Sequence, residues 1–175
     1  MNKVAVIFAD GTEEIEALAV VDVIRRANVV CDIISINDTE ACTGSHSIKV
    51  IADNTVNNTN FDEYNAIVIP GGLPGAYNIA ENKKINSTLV DFNNNGKIIA
   101  SICASPAVVL SPLKITDNKR VTCFPAEVFI NALKNATYTA NPVESCGNLI
   151  TANGPKSAID FAIEICNKLN VIPKI

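Results

Sequence analysis

The chain is expected to fold as an α/β protein, a mostly parallel sheet with helices on both faces. Three observations predict this. Short, continuously apolar runs alternate along the chain with segments of helical periodicity. Runs such as Lys3–Ala9, Ala66–Ile69 and Ile98–Ile102 lack an in/out alternation, so both of their faces are buried. No Gly/Ser linker divides the 175 residues, and one domain over 1–175 is expected.

Lys3–Ala9 is the first buried strand. Asp10-Gly11-Thr12 makes the turn, with Asp10 or Thr12 able to cap the helix that follows. Ala17, Val20, Val21, Ile24 and Ala27 recur at three-and-four spacing and predict that helix; Asn28 supplies a left-handed stop. Val29–Ile36 is the second strand. Residues 39–60 form a loop-rich connection with one short strand at 48–52. Ala66–Ile69 is again a buried strand, ending in Pro70-Gly71-Gly72, and a helix follows at about 85–94, closed by Gly96. Strand Ile98–Ile102 leads into a helix beginning at Pro106, whose fixed φ suits a first turn. Lys119–Cys123 is a strand and Ala126–Leu133 a helix. Thr137–Ala140 and Leu149–Ala152 are late strands on either side of a turn at 145–148. Gly154-Pro155 opens the last helix, with Ala158, Phe161, Ala162, Ile165 and Leu169 on one face.

Composition excludes several classes of function. The net charge of −4 and the lack of any basic cluster beyond Arg25-Arg26 argue against a nucleic-acid partner or an anionic membrane surface. The apolar run after Lys3 stops at Asp10, too short for a signal peptide, and a cytoplasmic location is expected. Six cysteines without C-x-x-C spacing and a single histidine, His46, argue against a metal site; most of the thiols are expected to be inert core residues. His46, alone in the loop-rich connection, is expected to be solvated.

Cys103 stands on the joint between a strand and a helix, as a nucleophile elbow does. Local sequence leaves two readings open: a small buried cysteine, or a reactive one whose thiolate is favoured by the N–H groups of the helix start. Ligands in open α/β sheets bind beyond the carboxyl ends of the strands, where three loops here should meet. The first carries Glu13, Glu14 and Glu16. Glu13 and Glu14 suit a solvated first helical turn, whereas Glu16 lies on another face and is the better candidate to point inward. A buried carboxyl beside a thiol has a raised pKa, so it can donate a hydrogen bond to sulfur or pass a proton. The second loop, Gly71-Gly72, allows close backbone approach and offers N–H groups to an oxyanion. The third is the Cys103 joint itself. With no imidazole near any nucleophile, a carboxyl must do the proton work if Cys103 is catalytic.

Together these segments resemble the Parkinsonism-associated deglycase branch of the ThiJ/PfpI superfamily. The resemblance is carried by Lys3–Ala9 with Gly11-Thr12-Glu13-Glu14-Ile15-Glu16, Val21–Arg26, Val68–Gly72 with Gly75-Ala76, Ala100–Pro106, and Gly154-Pro155. It implies a flavodoxin-like three-layer sandwich and a homodimer. It assigns the oxidisable catalytic cysteine to Cys103, the protonated glutamic acid beside it to Glu16, and the oxyanion contacts to the backbone of Gly72 and Ala104. It further implies cofactor-free glyoxalase or deglycase action on small aldehydes such as methylglyoxal and on glycated adducts, or a redox-sensing chaperone role. Two positions depart from the pattern. Ala104 replaces the histidine of the related peptidases, which argues against peptidase activity, and Phe124 stands where many relatives bring a histidine to the thiol. The short segment after the last helix leads to the expectation of a more open cleft.

Overall fold

The structure, a computed structural model, describes residues 2–175. In chain order it contains β1 (Lys3–Phe8), α1 (Glu14–Arg26), β2 (Val30–Ser35), a hairpin of β3 (Ala41–Thr43) and β4 (Lys49–Ile51), β5 (Asn54–Thr55) and β6 (Ala66–Ile69). There follow α2 (Gly75–Glu81), α3 (Lys83–Asn94), β7 (Ile98–Ile102) and a single π-helical turn at Pro106–Leu110. The chain continues with β8 (Arg120–Val121), α4 (Glu127–Ala132), β9 (Thr137–Tyr138), β10 (Val143–Cys146), β11 (Leu149–Ala152) and α5 (Ala158–Lys168).

Seven strands form the central sheet in the order β10-β11-β7-β6-β1-β2-β5. All pairs are parallel except β10 with β11 at the edge. The α/β fold read from the sequence, a mostly parallel sheet between helices, is the fold observed. Residues of β1 show why both faces need cover: Val4, Val6 and Phe8 join the core under α1 and α5, whereas Ala5, Ile7 and Ala9 join the core under α2 and α3. Phe8 and Phe161 are fully buried on the first face. Truncating either to alanine would cost about 3–5 kcal/mol, because the cavity left behind refills poorly.

β1 is the point where strand order reverses, since β2 lies on one side and β6 on the other. The loops after β1 and β6 therefore diverge and leave a crevice at the carboxyl end of the sheet. β7 lies beside β6, so its loop opens onto the same crevice.

Several local expectations change. Neither Asp10 nor Thr12 caps α1; the cap is Glu13, whose Oε2 accepts from the Glu16 N–H at 2.8 Å. Thr12 instead accepts from Ala9 N–H within the turn. Helix α2 arises where no helix was expected, because Pro74 and two flanking glycines mask its short pattern. The segment after Pro106 makes one π turn rather than a regular helix. The expected turn at 145–148 shortens to Gly147 and Asn148, since Val143–Cys146 pairs with β11. The strands at 119–123 and 137–140 shrink to β8 and β9, which pair outside the main sheet. Asn28 at φ 56° and Gly96 at φ 66° do end their helices in the left-handed conformation, as read. Among the described residues no helix is long and apolar enough to cross a membrane.

Candidate active site

Cys103 follows the last residue of β7 and sits at φ 66°, a conformation costly for a residue with a side chain, by about 1–2 kcal/mol. Two main-chain hydrogen bonds hold it there: Cys103 N–H donates to Ala152 O at 2.9 Å, and Phe124 N–H donates to Cys103 O at 2.8 Å. The bend presents a half-buried thiol to a small cleft of about 210 Å³, lined by Gly72, Leu73, Ala104, Phe124 and Phe129. Phe124 is 40% exposed and packs edge-to-face on Phe129 at 6.4 Å, so this side of the cleft is an apolar wall.

Glu16 is fully buried, as its inward placement on α1 predicts. Its Oε2 accepts from Gly71 N–H at 2.8 Å, its Oε1 has no hydrogen-bond partner among the described residues, and the carboxyl lies against the Cys103 side chain. Gly71 has to be glycine for a spatial reason. A Cβ there would come within 2.6 Å of both Cys103 Cβ and Glu16 Oε2 and 3.1 Å of Cys103 Sγ. The sequence reading offered the N–H groups of both glycines to an oxyanion. Gly71 is committed to Glu16, whereas the N–H groups of Gly72 and Ala104 approach the sulfur.

The electrostatics bear on both readings of Cys103. Burial raises the Glu16 carboxyl to about 7, with the Glu13 charge adding to the rise. Burial also pushes the Cys103 thiol up, to about 12, and a charged Glu16 pushes in the same direction. The N–H groups of Ala104 and Gly72 pull it down but do not prevail. At this sulfur burial outweighs the N–H groups of the bend. The thiolate is opposed by carboxylate and helped by carboxylic acid, so the two groups behave as a pair sharing protons.

What distinguishes Cys103 from the other thiols is its company. All six cysteines are unpaired, and burial raises Cys31, Cys42, Cys123 and Cys166 as well; Asp32 and Asp53 act on Cys31 and Asp10 on Cys42 through charge alone, whereas Cys103 is hydrogen-bonded to a carboxyl. Glu13 and Glu14 are not the solvated acids expected: they are 9% and 4% exposed. His46 is 71% exposed in its side chain yet engaged, with Nδ1 2.9 Å from Glu14 Oε2. Glu13, Glu14 and His46 are the one group of such side chains close enough to surround a cation among the described residues, with His46 Nδ1 2.9 Å from Glu14 Oε2 and 3.9 Å from Glu13 Oε1.

The DJ-1/PfpI family model matches residues 2–168. Protein DJ-1 homolog B of Arabidopsis thaliana is 34% identical over 166 residues, 95% of this chain, which spans only 37% of that longer protein. Protein dj-1beta of Drosophila melanogaster is 33% identical over 171 residues, covering 97% of this chain and 90% of its own. The solved structure of oxidized Toxoplasma gondii DJ-1 superposes with a TM-score of 0.92 at 33% identity, over 97% of this chain and 91% of that one. A cysteine on a strained bend, facing a buried glutamic acid across an obligatory glycine, thus sits in a chain that belongs to the DJ-1/PfpI family.

Proposed function

We propose that the protein is a cofactor-independent glyoxalase or deglycase of carbonyl stress, working through Cys103 and Glu16. The single observation that carries this reading is the carboxyl of a fully buried Glu16 set against the half-buried Cys103 thiol. With methylglyoxal, the Cys103 sulfur bonds to the aldehyde carbon and the carbonyl oxygen takes a proton, giving a hemithioacetal. Glu16, as carboxylate, removes the proton from that carbon and returns it to the neighbouring ketone carbon while the hydroxyl proton passes to the ketone oxygen, which leaves a thioester of lactate. Water then cleaves the thioester, so methylglyoxal plus water becomes lactate with no external oxidant. For a glycated adduct, the amine is the group released. The N–H groups of Gly72 and Ala104 are suited to the oxyanion formed at each addition.

Purified protein is expected to form lactate from methylglyoxal, and Cys103→Ser to lose this by at least ~10³-fold, since a serine without an imidazole base is a poor nucleophile. Equal lactate from wild type and Cys103→Ser would dispose of the reading.

A second reading is favoured by the oxidized state of the Toxoplasma gondii structure. In it Cys103 is a redox sensor whose sulfinate is held by Glu16 and the same two N–H groups. After mild peroxide, two oxygen atoms are expected on the Cys103 peptide; oxygen on another cysteine alone would exclude this role. The homodimer belongs to the same proposal. Ile15 on α1 and Ile51 on β4, 57% and 73% exposed, are apolar surface that a second copy would cover, and light scattering decides it.

A further inference from the structure

The hairpin β3–β4 has no part in the proposed chemistry, yet its turn is fastened to the stretch that carries Glu16. Gly11 N–H donates to Thr43 O at 2.8 Å, Thr43 N–H donates to Asp10 Oδ1 at 2.8 Å, and Ser45 N–H donates to Thr12 O at 2.8 Å. Glu14 then receives three groups from the turn. His46 N–H donates to its Oε1 at 2.7 Å; Ser45 Oγ and His46 Nδ1 reach its Oε2 at 3.2 and 2.9 Å. The fit is close enough that a Cβ on Gly44 would overlap the Glu14 carboxylate. Beside it Glu13 Oε1 lies 3.9 Å from the same His46 Nδ1, and Glu13 Oε2 holds the N–H of Glu16.

We propose that His46 is a positioning residue for the Cys103–Glu16 pair: clasped on Glu14, it fixes the first turn of α1 and, when protonated, offsets the Glu14 and Glu13 carboxylates, of which Glu13 acts on Glu16. The charged groups facing His46 are Glu14 and Glu13 from α1, with Ser45 the polar neighbour on its own hairpin. Those facing Glu16 are Glu13 on its own helix and Cys103 from the bend after β7. Glu14 keeps His46 protonated above its ordinary range. Glu13 links the two groups: its Oε1 lies 3.9 Å from His46 Nδ1 and its Oε2 accepts from Glu16 N–H. An exposed histidine far from the sulfur in sequence thereby helps set the pH at which the acid gives up its proton.

This inference rests on Glu16 pairing with Cys103 but not on turnover, so its test reads the proton itself. In protein carrying ¹³C-labelled glutamate, the carboxyl signal that vanishes in Glu16→Gln reports the Glu16 titration. His46→Ala is expected to move its midpoint up by about 0.5 in pH, a threefold change in the ionisation constant. His46→Lys, which restores a cation, is expected to bring it back. A packing role alone would be insensitive to that rescue. An unchanged midpoint in His46→Ala, or one that Lys fails to restore, overturns the proposal. A failed lactate assay with the titration intact removes the enzymatic reading and leaves this one standing.

Discussion

Glu16→Gln is expected to make the protein more stable at pH 8 than wild type, and indistinguishable from it at pH 4. The Glu16 carboxyl titrates at about 7 in the folded chain against 4.5 for the ordinary group, because burial disfavours its charge. The native state therefore binds the proton more tightly than the unfolded chain does. Stability is complete below pH 4.5, declines as pH rises through the interval to about 7, and stays low above it. The difference corresponds to about 3 kcal/mol. Glutamine carries no charge to desolvate and its oxygen can still accept from Gly71 N–H, so the decline should vanish. The variant should at the same time lose at least ~10²-fold in lactate formation, since an amide cannot shuttle protons. Denaturant unfolding at the two pH values checks the first part. Parallel pH dependence in wild type and variant would show that Glu16 is not the buried acid described.

Gly71→Ala is expected to dismantle the site while leaving the fold standing. The new Cβ would lie 2.6 Å from Cys103 Cβ and from Glu16 Oε2. Cys103 Cβ is fixed by a main chain bonded on both sides, and the Glu16 carboxyl has no open space to enter. The overlap is relieved only by parting the pair, at a cost of about 1–3 kcal/mol as in overpacked cores. Lactate formation and peroxide oxidation of Cys103 should both fall steeply. Gly96→Ala is the matching control. It strains a left-handed position with nothing within 4 Å of the new Cβ, and should cost stability without touching either reaction. Wild-type reactivity of Cys103 in Gly71→Ala would mean that contact with Glu16 is not needed.

The fold was legible because its signals are local. Apolar runs such as Val4–Ala9 and Ala66–Ile69 have no solvated face, and only a doubly covered sheet can house them. Glu16 was legible for a similar reason, since its position on α1 turns it away from the solvent side of the helix. Helix α2 was not, because its seven residues between Pro74 and Asn82 are too few for a periodic pattern and owe their order to packing on the π turn. Glu13 and Glu14 were misread for a different reason. Acids in a first helical turn are ordinarily solvated, and no local feature announces that a hairpin beginning some thirty residues later closes over them.

Sequence by itself determined the alternation of strands and helices, the bend that exposes Cys103, and the inward direction of Glu16, all consequences of residue spacing and backbone preference within one or two elements. Tertiary structure alone decided the surroundings of the sulfur: how deeply it is buried, that the N–H groups of Gly72 and Ala104 approach it, and that the Glu16 carboxyl lies against it. A pKa depends on distances and solvent access among groups far apart in the chain, and spacing along a sequence carries neither.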